Sequence, residues 1–119
     1  MIKSWEYKNE YKFLKKNIFK SIDRVLKSGN LFFGNELIKF EKQFLKTNSS
    51  RYGVAVASGT DAIYLSLKAL NIGPGDEVIT AANTFVATVG AICELGATPV
   101  FVDCNDTFCM NTDLVEEKI

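Results

Sequence analysis

Val54-Ala55-Val56-Ala57-Ser58-Gly59-Thr60-Asp61-Ala62-Ile63-Tyr64-Leu65 passes from a short β-prone run through Ser-Gly-Thr-Asp into residues at helical spacing. That order predicts a strand, a tight turn and a helix start. The first N–H groups of such a helix have no intrahelical partner and carry the positive end of its dipole, so the junction suits a phosphate. Gly59 lets the main chain approach an anion, Thr60 adds a hydroxyl donor, and Asp61 suits the helix N-terminus. On this segment alone, Ser58 or Thr60 merely capping a helix in an α/β domain is an equal alternative.

Downstream the chain alternates short elements. The helix from Thr60 to Leu70 is followed by the turn Gly73-Pro74-Gly75-Asp76, a strand from Glu77 to Thr80, a helix of small residues from Phe85 to Leu95, and a strand over 99–103. Strand, helix, strand, helix, strand is the pattern of βαβ units on a parallel sheet. Asn111 to Glu117 reads as a capped helix start. Upstream, Leu14, Ile18, Ile22, Val25 and Leu26 recur at three- and four-residue steps, predicting an amphipathic helix from Tyr11 that ends near Ser28-Gly29-Asn30. After the aromatic connector Leu31-Phe32-Phe33-Gly34, Asn35 is placed to cap a second helix with an apolar face of Leu37, Ile38, Phe40, Phe44 and Leu45. Both helices are single-stripe amphipaths that need something to cover.

Composition narrows the classes. The 119 residues amount to one domain at most, small for an α/β enzyme with a cofactor, and a piece of something larger is expected. Hydrophobic residues are 47% and charged residues 24%, which favours neither disorder nor a disulfide scaffold. Zero net charge gives no general electrostatic case for nucleic acid or an anionic membrane. The lysines crowd between Lys3 and Lys46, where helical spacing makes them a solvated face. Cys93, Cys104 and Cys109 are odd in number, lack paired metal spacing and have no histidine beside them, so they read as free thiols in a reducing compartment with no metal site. The N-terminus has no apolar targeting region and no apolar run approaches a membrane span, so a cytoplasmic location is expected.

In an open parallel sheet, ligands sit outside the carboxyl ends of the strands. Ser58 to Asp61, Ala81 to Phe85, and Asp103-Cys104-Asn105 fall at such ends. An anion cradle in the first and an aromatic ring, Phe85, in the second suit a phosphorylated planar cofactor. Taken alone, Phe85 reads first as a core aromatic and Asp103 as a local cap.

The residues also resemble a family. Gly34 with Phe40-Glu41, Ser58 to Ala62, Gly73 to Ile79, Thr84 to Thr88 and Gly96 to Asp103 follow one another as in the DegT/StrS-type nucleotide-sugar aminotransferases. The resemblance covers nearly the whole chain and rests on five ordered motifs. It implies a partial fold-type-I large domain of α/β class, a mostly parallel sheet with flanking helices that begins at residues 51–119, preceded by an N-terminal helical segment over residues 1–50. It implies pyridoxal 5′-phosphate as cofactor and a homodimer. It also implies transfer of an amino group from glutamate or glutamine to a keto-sugar on a nucleotide diphosphate. Residue by residue, it makes Thr60 and Asp61 the phosphate-binding pair, Gly59 the source of clearance, and Phe85 the aromatic that stacks on the pyridine ring.

Pyridoxal phosphate chemistry needs a Schiff-base lysine and an acidic partner for the ring nitrogen. The resemblance places both beyond Ile119, so no residue present is assigned as catalytic and this chain by itself is expected not to transaminate. A non-catalytic phosphate-binding or dimerisation module is the alternative. A dinucleotide-binding protein is disfavoured because Ser58-Gly59-Thr60-Asp61 lacks the three-glycine spacing.

Overall fold

The computed structural model describes residues 6–119. The described residues through Ala55 form one compact unit and Val56–Ile119 form a second.

In the first unit, helix α1 spans Tyr7–Ser28, starting earlier than its apolar stripe because Tyr7 and Tyr11 stack at 6.2 Å along the added turn. Gly29 ends it in the left-handed conformation, φ 66°, and its N–H donates to the Leu26 carbonyl. Helix α2 spans Asn35–Thr47. Asn35 is its first helical residue and not its cap; Gly34 holds that position, and its carbonyl accepts from the Leu37 and Ile38 N–H groups. On the α2 stripe Leu37 and Leu45 are half-buried, while Ile38, Phe40 and Phe44 stay exposed.

The extended segment after α2 differs from the strand expected over Val54–Ala57. No ladder forms there, and the sheet of the described residues has two strands. Among the described residues no strand pairs with it, and the Ala55 N–H donates instead to Glu41 Oε1 at 2.9 Å, an α2 side chain taking the donor that a neighbouring strand would take. Gly53 lies so close to α2 that a Cβ there would sit 2.8 Å from Leu45 Cδ2.

The second unit is built on strands β1, Glu77–Ala81, and β2, Thr98–Val102. They pair in parallel with register Glu77↔Thr98 through Ala81↔Val102. Helix α3 spans Gly59–Ala69 and helix α4 spans Val86–Glu94, so α4 is the crossover between the strands. Helix α4 packs on both strands and on α3. The buried core is Ala91, Ile92, Ala97 and Val102, two small residues and two branched ones that let helix and sheet approach. Full burial of a side chain such as Ile92 or Val102 contributes about 1.5–3 kcal/mol each.

The amino ends of the strands are tied together. Asp76 Oδ2 accepts from the Gly73 N–H at 2.8 Å and the Asp76 carbonyl accepts from the Thr98 N–H at 2.9 Å. Gly96 has φ 78°, and a Cβ there would lie 2.9 Å from Pro74 Cγ. At the other end β2 stops at Val102, one residue earlier than expected, because Asp103 turns its carboxylate back onto the Cys104 N–H at 2.7 Å. The expected helix after Asn111 is instead two 3₁₀ turns, Thr112–Leu114 and Glu116–Lys118, the first capped by Asn111 Oδ1 on the Asp113 N–H.

Candidate functional site

Ser58 is the N-cap of α3: its backbone is extended, its Oγ accepts from the Asp61 N–H at 3.1 Å, and its carbonyl accepts from the Ala62 N–H at 3.0 Å. The capping role is therefore real, and it consumes one of the expected phosphate donors. The Asp61 amide is engaged by Ser58, whereas no protein acceptor meets the Gly59 and Thr60 N–H groups among the described residues. Gly59 and Thr60 are exposed and a Cβ at Gly59 would meet nothing within 4 Å, so the approach to those two donors is open. Asp61 is half-buried in the first turn, where its carboxylate lies toward the positive end of the helix.

Phe85 occupies the corresponding position on α4. It is the N-cap, with φ −70° and ψ 141°, and contributes no side-chain cap bond. Phe85 is 76% exposed in this unit. Its loop leaves β1 through Ala82, whose N–H donates to the Val102 carbonyl at 2.8 Å at the carboxyl edge of the sheet. Thr88 N–H donates to the Phe85 carbonyl at 3.0 Å, and the hydroxyls of Thr84 and Thr88 share a hydrogen bond of 3.1 Å. Asp103 follows β2 at the same edge and is engaged with its own neighbour.

Gly59, Thr60 and Asp61 thus open one helix and Phe85 opens the helix packed against it; no hydrogen bond joins the two groups among the described residues. The residues fit a phosphorylated planar group to this extent: two free amide donors stand ready for an anion and an uncovered ring stands ready for stacking.

The residue pattern did not disclose the open cavity of about 690 Å³ around the α1–α2 connector, lined by Arg24, Phe32, Phe33, Gly34 and Glu36 among others. Glu36 accepts from Arg24 Nη2 at 3.0 Å and from Lys39 Nζ at 3.0 Å. The Lys39 hydrogen bond, and then the Arg24 and Lys39 charges, hold the Glu36 carboxyl below its ordinary value against a partial desolvation. Ion pairing across a connector leaves only a weak sequence signal, since Arg24 and Glu36 are far outside helical spacing.

The fold is a partial α/β domain with a small parallel sheet and flanking helices. The chain belongs to the DegT/DnrJ/EryC1/StrS aminotransferase family, whose model matches residues 12–119. Over 116 residues it is 39% identical to the dTDP-3-amino-3,4,6-trideoxy-alpha-D-glucose transaminase of Micromonospora megalomicea subsp. nigra, covering 97% of this chain and 31% of that protein. The crystal structure of S. venezuelae DesV in complex with a ketimine intermediate superimposes with a TM-score of 0.91 at 40% identity, over 96% of this chain and 31% of that one. The NtdA structure from Bacillus subtilis with bound cofactor PMP gives 0.84 at 43% identity, over 87% and 24%. The chain spans about a third of the length of the curated relatives it matches.

Proposed function

We propose that the protein acts in pyridoxal 5′-phosphate-dependent transfer of an amino group from glutamate or glutamine to a nucleotide-linked keto-sugar. The observation that carries this reading is the pair of unengaged amides at Gly59 and Thr60, on a chain whose structural neighbours include a PMP-bound aminotransferase. When bound, the cofactor supplies an electron sink for carbon–nitrogen chemistry. The Gly59 and Thr60 N–H groups and the Thr60 hydroxyl hold its phosphate. The Asp61 carboxylate supports the helix start, and the Phe85 ring covers one face of the pyridine and keeps water from it.

In this reading residues 51–119 begin the cofactor-binding domain and residues 1–50 are a helical segment ahead of it. A cytoplasmic homodimer is the form we assign to the enzyme. No described helix is long and apolar enough to cross a membrane.

A second reading is supported by the lysines of the second unit. Lys68 lies near the far end of α3, with its Nζ 3.4 Å from the Tyr64 hydroxyl, and Lys118 lies in the last 3₁₀ turn. Lys68 thus stands at the opposite end of α3 from the cradle, which supports the reading of the chain as a phosphate-binding or dimerisation module.

Titration of the chain with pyridoxal phosphate, followed by visible absorbance and by phosphorus NMR, tests both. The expected result is saturable binding that Phe85→Ala and Gly59→Ala each weaken. Borohydride reduction and peptide mapping then separate the readings: scattered adducts agree with the module, and one stoichiometric lysine among residues 1–119 overturns it. Absence of saturable binding overturns the cofactor assignment.

A further inference from the structure

Phe85 is exposed, so packing does not place it, and the backbone that carries it sets the direction of its Cα–Cβ bond. That backbone has two tethers. Ahead of the ring, Ala82 is bonded to the end of β2; behind it, the Thr84 and Thr88 hydroxyls meet at 3.1 Å across one turn. Helix α4 has no side-chain cap bond from Phe85 itself. The hydroxyl pair is therefore the side-chain link, among the described residues, between the residue preceding the ring and the first turn of the helix.

We propose that Thr84 is a positioning residue: its hydroxyl bond to Thr88 locks the loop so that Phe85 is presented as a fixed platform to a planar phosphorylated heteroaromatic ligand. The inference rests on the cofactor reading above for the ligand, while the tether itself concerns this chain alone. Without the tether, the loop must be ordered when the ligand binds, and the ligand binds more weakly by the cost of that ordering. Threonine and valine share a branched shape and the same stiffness at χ1, so Thr84→Val removes the hydrogen bond with little else. A bond of this kind corresponds to a change of about 2- to 10-fold in an equilibrium constant.

The test uses the full chain with Thr84→Val and Thr84→Ser, and Thr88→Val as the same deletion from the other side should Thr84→Val fail to fold. Without ligand, NMR coupling constants at χ1 of residue 88 are expected to show one rotamer in the native chain and in Thr84→Ser, and averaging in Thr84→Val. With pyridoxal phosphate as probe, Thr84→Val is expected to bind about 2- to 10-fold more weakly and to lose part of the induced circular dichroism of the bound probe, with Thr84→Ser restoring both. Inorganic phosphate, which needs no ring, is expected to bind all variants equally. Unchanged couplings and unchanged dichroism in Thr84→Val overturn the proposal, as does Thr84→Ser behaving like Thr84→Val. If the native chain binds neither probe, the cofactor reading fails and the ligand-free couplings still decide the tether.

Discussion

Glu41 Oε1 accepts the backbone N–H of Ala55 at 2.9 Å, so a carboxylate on α2 fills the place of a neighbouring strand for the segment that leads into the cradle. The bond is partly buried and spans fourteen residues of chain, which makes it a fixed point in an otherwise extended stretch. Removing the acceptor leaves a part-buried amide unpaired.

Glu41→Ala is accordingly expected to destabilise the first unit by about 1 kcal/mol, with Glu41→Gln retaining most of the stability because its amide oxygen still accepts. Hydrogen exchange at the Ala55 amide checks this: it should accelerate in the alanine variant and stay slow in the glutamine variant.

The cradle separates stability from binding. Gly59→Ala places a methyl in open space, so the thermal midpoint should hold or rise, while phosphate and pyridoxal phosphate affinity should fall by on the order of tenfold as the methyl occupies the anion's approach. Ser58→Ala should do the opposite on the first count, lowering helix stability by about 1 kcal/mol through loss of the cap. Parallel melts and binding titrations of the two variants distinguish the effects.

Gly96→Ala combines a left-handed backbone with a Cβ 2.9 Å from Pro74 Cγ. A loss of about 1–3 kcal/mol is expected in denaturant unfolding. Pairing it with Pro74→Ala, which removes the obstructing ring carbon, should return part of the loss and leave the part due to φ.

Glu36 gives the pH dependence. Its folded-state pKa is lowered, first by the Lys39 hydrogen bond and then by the Arg24 charge, so its stabilising contribution is present above the ordinary carboxylate range and is lost as pH falls through the folded value. NMR titration of the Glu36 carboxyl carbon should give a midpoint below that of a free glutamate, and added salt should move it back, since the pairs are exposed. A midpoint at the ordinary value in low salt contradicts the pairing.

Much of the architecture was legible in the residues because it follows from periodicity. The α1 and α2 apolar stripes follow from helical spacing, and the order of β1, α4 and β2 follows from the alternation of short elements between turn residues. At Val54–Ala57 a β-prone run specifies an extended backbone and not the partner for its amides; the Ala55 amide is taken by Glu41, fourteen residues away in the chain. The segment after Asn111 carries the expected cap, with Asn111 Oδ1 on the Asp113 N–H, but winds as two 3₁₀ turns. At the site, Ser58, Gly59 and Thr60 were legible as a helix start, while the division of labour between capping and free amides needed coordinates. The Thr84–Thr88 bond lies at helical spacing, yet two threonines one turn apart are too common to be singled out by sequence.

The clamp formed by Pro74, Asp76, Gly96 and Thr98 also bears on the order of folding. It joins the amino ends of β1 and β2, and the whole βαβ element closes within residues 77 to 102 through one helical crossover. Closure cost grows only slowly with loop length, and the clamp fixes the register of the pair once it closes, which makes this element the natural nucleus of the second unit. The ring of Phe85 lies within that span but is exposed and packs on none of its core, and the approach to Gly59 lies outside it. Substitutions at the clamp should therefore slow folding, whereas changes to the ring should leave the folding rate alone, and this part of the chain is free to vary its ligand chemistry without changing how fast it folds.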